Sequence, residues 1–140
     1  LVVLLWVVFG RAQPAWQYET RRTWLGESGL TYHAGVEGIS VVFVLMTAVL
    51  TPLSLLAGWR SVQTQGRDFV AMLLMLETAL FGLFSAQDLV LFYVFYEATL
   101  IHGSLLIGLW GWQQRVWASL QFLLYTFAGS LFMPVGLTTM

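Results

Sequence analysis

The sequence predicts an all-α integral membrane protein, a bundle of transmembrane helices. Of its 140 residues, 59% are hydrophobic and only 9% are charged, against about 25% charged in an ordinary soluble domain. A soluble fold of this size leaves much of its surface exposed and cannot hide so much apolar area. The apolar residues also form runs of the length that crosses a hydrocarbon core, about 20 residues for about 30 Å.

Four of these runs are long enough to be complete membrane spans. They cover residues 39–59, 69–86, 89–110 and 116–137, and they predict that residues 39–140 form four transmembrane helices. Residues 1–10 are apolar but too short to span, so we interpret them as the end of a truncated transmembrane helix. Leu1 and Met140 both lie in apolar runs, and we expect a piece of a longer protein or the product of an atypical start codon.

The segment 11–38 is predicted to be an interfacial loop. It mixes charged residues with Trp16, Tyr18, Trp24 and Tyr32. Tryptophan and tyrosine are enriched where a chain runs along the membrane–water interface. A loop with aromatic anchors is therefore the interpretation that we prefer to a ligand site.

The arginines predict the orientation of the bundle. Successive loops alternate sides, so Arg60, Arg67 and Arg115 are expected on one side and the arginines of 11–38 on the other. Each side holds three arginines, but the first three lie in short loops, which weigh more in the positive-inside rule. We therefore place the loops of Arg60 and Arg115 inside.

Several classes of site are excluded by the composition. The sequence contains no cysteine, so it offers no disulfide, thiolate metal site or cysteine nucleophile. Its net charge of −1 gives no indication of nucleic-acid binding. We find no metal-ligand cluster, phosphate-binding glycine loop or catalytic triad. All six basic residues are arginine, so lysine is also absent.

Two carboxylates, Glu97 and Glu77, are the candidate catalytic residues, for proton movement. They lie nine residues after and eleven before Asp88, roughly 13 and 16 Å along antiparallel neighbours and so near mid-membrane. An ionisable group at that depth usually faces a protein interior or a hydrated cavity. Burial disfavours the charged form, so such a carboxyl can exchange protons near neutral pH. The alternative is that Glu97 is a protonated hydrogen-bonding contact between helices; whether the two glutamates face each other is left open.

His102 is a further candidate, as a proton relay, because histidine titrates in the useful pH range. It follows Glu97 by five residues, about 140° round a helix, so the two do not share a face. A structural hydrogen bond is the alternative interpretation of this histidine.

Four other residues have simple structural interpretations. Asp88 is predicted to be a helix N-cap, because aspartate accepts from the free amides at a helix start. Gly129 and Ser130 predict a small-residue site for close helix packing. Pro134 should kink its helix or leave a carbonyl free.

Four stretches together resemble subunit 4 of NADH dehydrogenase, the respiratory complex I family, in its mitochondrially encoded form. They are YHAGVEGISVVFVLMTAVLTPLSLLAGW, LLMLETALFGLFSAQDLVLFYVFYEATLI, LIGLWG and FLLYTFAGSL. The family pattern is Y-x-x-G-x-D-G-I-S, then an F-Y-x-F-x-E helix, W-G and F-x-L-Y-T-x-x-G-S. The resemblance covers about 110 residues from Tyr32 onward, and the run around Glu97 is its specific part.

The resemblance implies a fragment of the antiporter-like subunit fold, with only the second to sixth of about fourteen helices. It implies a subunit of a proton-translocating NADH:ubiquinone reductase, in the mitochondrial inner membrane or a bacterial one. NADH, FMN, iron–sulfur clusters and ubiquinone would bind other subunits, and this chain would hold no redox centre. Its partners would be other membrane-arm subunits and lipid. Glu97 matches the glutamate that pairs with a lysine of a later helix, and Glu77 matches a position that is often acidic.

Three departures from the family pattern keep other functions open. Glu37 stands where the family usually has aspartate, and His102 stands where it usually has proline. The partner lysine is missing, so we expect a second polypeptide or a missing segment to supply it with the later helices. A split gene, a partial sequence and a truncated relict are all compatible with this. The alternatives to proton pumping are a structural, non-pumping piece of the membrane arm and a cation/proton antiporter subunit.

Overall fold

A computed structural model describes Val7 and residues 17–25, 30–62 and 65–138. In these residues two strands precede four helices. The strands are β1, Gln17–Leu25, and β2, Leu30–Val36. The helices are α1, Gly38–Gly58, α2, Gly66–Ser85, α3, Leu89–Trp110, and α4, Arg115–Thr138. The predicted helix end in residues 1–10 lies outside the described residues, apart from Val7, which is helical.

The predicted fold class is confirmed, because all four helices are long and apolar enough to cross a membrane. Three of them start within one residue of the predicted spans. Only α2 begins earlier, at Gly66, since polar residues form its first turn before the apolar run starts. Asp68 lies in that turn, where a carboxylate is favoured by the positive end of the helix dipole.

The helices pack as a row of antiparallel neighbours, α1 on α2, α2 on α3 and α3 on α4. Phe43 of α1 stacks on Phe84 of α2, with ring centroids 5.1 Å apart. Gly82 of α2 lies so close to α3 that a Cβ there would come within 2.3 Å of the Phe95 ring. Small residues that admit a neighbouring ring are typical of helix packing in membranes, where no hydrophobic force drives helices together.

The buried core of this row is small. Its apolar members among the described residues are Val36, Val41, Val44, Ala79, Leu91 and Leu100. Large apolar side chains instead cover the outer surface of every helix. In a bilayer this surface can be covered by lipid or by further helices, which is consistent with a membrane-spanning protein.

Residues 17–25 and 30–36 of the segment predicted to be an interfacial loop form strands, which corrects that interpretation for these residues. β1 and β2 pair as an antiparallel hairpin, in a register that includes Thr20 with Ala34 and Arg22 with Tyr32. The segment is rich in threonine, tyrosine and tryptophan, which favour strands. From the sequence alone, the aromatic residues of this segment indicate only membrane anchoring, because charge and aromatic content do not distinguish a loop from a polar hairpin.

The hairpin is attached to the bundle at the turn between α2 and α3. Ala34 forms an isolated β-bridge with Ala86, and the main-chain N–H of Gln87 donates to the main-chain carbonyl of His33 at 2.9 Å. Gln87 also lies over Gly35, where a Cβ would approach its Nε2 to 1.9 Å. The hairpin and the α2–α3 turn therefore share one end of the bundle, as alternating loops require.

The opposite end carries arginine and tryptophan. Arg60, Arg67 and Arg115 are exposed there, and so are Trp59 at 78% and Trp112 at 86% exposure. Exposed tryptophans at the ends of apolar helices form the aromatic belt of a membrane interface. The inside orientation predicted for this end stays a prediction.

Candidate functional site

Glu97 occupies the ninth position of α3, and the start of that helix is fixed by Asp88. The Asp88 carboxylate accepts from the amides of Val90 at 2.8 Å and Leu91 at 3.4 Å. This confirms the predicted N-cap, which satisfies amides that have no partner within the helix. Because the cap fixes where α3 begins, Glu97 lies roughly 13 Å along the helix axis, near the middle of a span.

The Glu97 carboxyl meets a hydroxyl from the neighbouring helix. Ser130 of α4 donates to Glu97 Oε1 at 2.5 Å, and Ser130 is only 4% exposed. The Tyr93 hydroxyl, one turn before Glu97 on α3, interacts with the Glu97 carboxyl and with Ser130. A carboxyl, a phenol and an alcohol therefore form one polar cluster across the α3–α4 interface.

This polar cluster borders an apolar cavity of about 220 Å³. Its lining comprises Glu97, Leu100, Ile101, Leu123, Leu124 and Phe127. Glu97 itself is half-buried. A polar group in such surroundings is costly to bury without a hydrogen-bond partner, and Ser130 supplies one.

Glu77 faces a different helix. A groove of about 140 Å³ between α1 and α2 is lined by Glu77, by Thr47, Thr51 and Ser54, and by leucines of both helices. The three hydroxyl residues follow one another at spacings of four and three, so they form one stripe along α1. The hydroxyls of Thr47 and Thr51 donate to the carbonyls of Phe43 and Thr47, at 2.9 and 3.0 Å.

The structure therefore does not bring the two glutamates to one site. Glu77 lies on the side of α2 that meets α1, while Glu97 lies on the side of α3 that meets α4. The contact between α2 and α3 uses other faces, such as the one with Gly82 and Phe95. Each acid belongs to a separate helix interface.

His102 also lies away from Glu97. Its Nδ1 donates to the Ala98 carbonyl at 2.6 Å in the tautomer that carries the proton on Nδ1. It shares a helical row with Phe95, seven residues before, and Trp110, eight residues after, and both of these rings meet α2. The helix is continuous through this position. The bond to Ala98 is of the kind expected in the second interpretation of His102, a structural hydrogen bond.

Ser130 is the site residue that the sequence analysis missed. Ser130 binds Glu97 of α3, whereas a Cβ at Gly129 would meet no atom of the described residues within 4 Å. Close packing at Gly129 stays a prediction. The available signal was one of several hydroxyl side chains in the apolar run of α4, and its partner could not be identified without the angle between the helices.

Pro134 and Glu37 each affect the hydrogen bonding of a helix. Pro134 lies within α4, which continues through it, and it has no amide hydrogen to donate to the Ser130 carbonyl four residues before. Glu37 is the N-cap residue of α1 but makes no side-chain cap bond. Aspartate, which the family pattern has here, is a much better N-cap residue than glutamate. With Glu37 in its place, α1 lacks the side-chain cap bond.

No group of three or more metal-binding side chains lies close together in the part of the chain that the structure describes. The chemistry that these residues can perform is acid–base chemistry. Glu97 can accept or release a proton, and the hydroxyls of Ser130 and Tyr93 can donate hydrogen bonds to its carboxyl. Glu77 can do the same beside the hydroxyl stripe of α1.

Comparisons with known proteins find similar membrane proteins. Residues 86–140, which contain Glu97 and Ser130, match a family of membrane domains described as NADH:quinone oxidoreductase/Mrp antiporter. NADH-quinone oxidoreductase subunit M of Rhodobacter capsulatus is 43% identical over 138 residues, 99% of this chain and 26% of the relative. NADH-ubiquinone oxidoreductase chain 4 of Chondrus crispus is 40% identical over 136 residues, 96% of this chain and 28% of the relative.

The same protein of Arabidopsis thaliana is 37% identical over 136 residues, again 96% of this chain and 28% of the relative. These similarities confirm the resemblance drawn from the four sequence stretches. The chain spans about a quarter of the length of the curated relatives that it matches.

Proposed function

We propose that this chain takes part in proton translocation. Its residues 86–140 match the NADH:quinone oxidoreductase/Mrp antiporter membrane family, and nearly its whole length is similar to subunit M and chain 4 proteins. The proton movement would be coupled to quinone reduction in the membrane arm of a complex I. Glu97 would be the group that takes up and releases the proton. Glu77 would act as a second acid at the α1–α2 interface.

One observation carries this proposal: Glu97 lies near mid-span with a hydroxyl of another helix on its carboxyl. Ionisable residues at that depth are costly and generally mark ion or proton pathways. A carboxyl with hydrogen-bond partners can be held in place in either protonation state, which a relay requires. The similarity to complex I proteins supplies the reaction to which such a relay would be coupled.

The chain would contribute to the enzyme without holding a redox centre. NADH, FMN, the iron–sulfur clusters and ubiquinone would bind other subunits. Its partners would be the neighbouring membrane-arm subunits, lipid, and the segment or polypeptide that supplies the lysine paired with Glu97. The location would be the inner membrane of a mitochondrion or a bacterium, and both kinds of relative occur among the matches.

A cation/proton antiporter subunit is the second candidate, because the matching family also includes Mrp antiporters. Such a subunit would use the same acids but would exchange another cation for protons. Proton pumping that depends on NADH and quinone, and needs no sodium or potassium gradient, distinguishes the first function from the second. A structural piece of the membrane arm is the remaining alternative, and it predicts no role for titration of Glu97.

The test replaces Glu97 in the full-length protein within its native complex. Glu97→Gln keeps the shape and the hydrogen bonding and removes only titration. We expect proton uptake into vesicles to fall at least about tenfold, the loss that removal of a general acid or base typically exceeds, and NADH:quinone turnover to slow with it. Glu97→Asp keeps the acid and should be milder.

The matched control is Glu37→Gln, because Glu37 is exposed and makes no side-chain cap bond. This variant should pump like the wild type. Assembly is checked first for every variant. Full pumping by an assembled Glu97→Gln complex would refute the relay and leave Glu97 as a packing contact between α3 and α4.

A further inference from the structure

Ser130 has two acceptors within reach but only one hydroxyl hydrogen. Its Oγ lies 2.5 Å from Glu97 Oε1 and 3.0 Å from the carbonyl oxygen of Phe127, on its own helix. A serine hydroxyl donates one hydrogen bond and can accept two. The two contacts therefore cannot both be donated by Ser130 at the same time.

The two protonation states of Glu97 use these contacts differently. An ionised carboxylate can only accept, so the Ser130 hydrogen must point to Glu97. A protonated carboxyl carries a hydrogen that it can donate to Ser130 Oγ. The Ser130 hydrogen is then free to turn to the Phe127 carbonyl. The hydrogen bonds of both protonation states can form by rotation of the Ser130 hydroxyl about its Cβ–Oγ bond, without movement of the heavy atoms.

We propose that Ser130 is a positioning residue whose hydrogen bond to Glu97 reverses direction when Glu97 gains or loses a proton. This proposal rests on the proposed role of Glu97 in proton translocation. Because the partner adapts to either state, Glu97 can change charge without a rearrangement of α3 and α4. A backbone carbonyl in the place of Ser130 could only accept and a backbone N–H could only donate, so either group would leave one state of Glu97 without this hydrogen bond.

Few polar side chains of the described residues face Glu97. Tyr93 is the titratable group that contacts Glu97 from its own helix. From α4, the residues that line the neighbouring cavity are Leu123, Leu124 and Phe127, which carry no charge. On α2, Glu77 lies in the groove with α1. In the described part of the chain, Ser130 is thus the polar side chain that α4 presents to Glu97.

The experiment measures the protonation of Glu97 directly, in the assembled complex. A hydrophobic carbodiimide reacts with protonated carboxyls, and mass spectrometry reads the label on the Glu97 peptide as a function of pH. Ser130→Ala removes the donor that favours the charged form. A hydrogen bond to a charged group is stronger than one to a neutral group. The midpoint of labelling should therefore move up by about 0.7 pH unit, which corresponds to about 1 kcal/mol.

The matched control is Ser119→Ala. Ser119 is also a serine of α4 that bonds across to α3, but its Oγ donates to the Ser104 carbonyl at 2.7 Å and does not involve the acid. This variant should leave the labelling midpoint of Glu97 unchanged. Ser130→Thr retains the hydroxyl and should keep the wild-type labelling profile. Ser130→Val has the shape of the threonine variant without the hydroxyl and should shift the midpoint as Ser130→Ala does.

An unshifted midpoint in Ser130→Ala, or equal profiles for Ser130→Thr and Ser130→Val, would overturn the proposal. If Ser130→Ala does not assemble, the threonine and valine variants decide by the same comparison. Failure here is separable from failure of the proposed function. A shifted midpoint with full pumping by Glu97→Gln keeps the positioning role and rejects the relay. An unshifted midpoint with collapsed pumping in Glu97→Gln does the reverse.

Discussion

Several polar side chains within the spans are hydrogen-bonded to their own helix or across the α3–α4 interface. Thr47, Thr51 and Thr99 donate to carbonyls four residues before them in their own helices. His102 does the same toward Ala98. Such bonds lower the cost of placing a polar group in hydrocarbon, where an unsatisfied group costs several kcal/mol. Ser130 differs because its hydroxyl reaches a titratable group of another helix.

His102 provides a prediction at this scale. We expect His102→Leu to keep about half or more of the wild-type pumping rate, because the histidine makes a bond to its own backbone, and one such bond contributes only about 1 kcal/mol to stability. The measurement is proton uptake into vesicles driven by NADH oxidation, compared with Glu97→Gln in the same background. A loss as large as that of Glu97→Gln would instead make His102 a proton relay.

At the scale of the helices, close approach depends on glycine at particular positions. Gly82 admits the Phe95 ring between α2 and α3, and a Cβ at Gly108 would lie 3.1 Å from Ser119 Oγ between α3 and α4. The α3–α4 contact sets the distance between Ser130 and Glu97. Packing by small residues therefore determines the geometry of the candidate site as well as the stability of the bundle.

Gly82→Ala should separate α2 from α3. The added methyl would lie 2.3 to 2.5 Å from three atoms of the Phe95 ring, and overpacking of this kind costs about 1–3 kcal/mol. The unfolding midpoint of the complex in detergent measures the loss. The control is Gly66→Ala at the exposed start of α2, where a Cβ meets no atom of the described residues within 4 Å and the change should be close to neutral. Relief by Phe95→Leu in the Gly82→Ala background would support the steric cause, and equal stability of the two glycine variants would contradict it.

At the scale of the whole molecule, four antiparallel helices form an open row with a small core. Apolar side chains such as Leu124 and Phe132 of α4 are 65% and 77% exposed. The hairpin covers one end, and arginines and tryptophans mark the other. The chain covers about a quarter of its relatives, and the side of α4 and the cavity beside Glu97 are the places where further helices would fit. We therefore expect the lysine partner of Glu97 to approach from this side.

Cross-linking tests this expectation. These 140 residues contain neither cysteine nor lysine. An introduced cysteine is therefore their single attachment point, and any cysteine–lysine product formed from it must join them to another segment or subunit. Ile101→Cys lines the cavity beside Glu97 and, with a short maleimide–succinimide reagent, should yield a product with an intramembrane lysine. Val49→Cys is an exposed control on α1 and should not yield that product. Absence of any lysine product at Ile101 would favour the structural, non-pumping interpretation.

The sequence by itself determined the membrane class, the four spans, the cap at Asp88 and the depth of both glutamates. These follow from run length, rise per residue and local capping, which need no knowledge of neighbouring helices. It did not determine the hairpin, because the aromatic and charged residues of that segment suit an interfacial loop and a polar strand equally well.

Only the tertiary structure decided which helix each acid faces. Glu77 and Glu97 lie at similar depth, yet one meets the hydroxyl stripe of α1 and the other meets Ser130 of α4. The azimuth of a residue depends on how its helix is rotated against its neighbours, and hydrophobic runs that are apolar on all sides carry no signal for that rotation. The partner of Glu97 is therefore a property of helix packing, set by contacts such as Gly82 with Phe95 and Gly108 with Ser119.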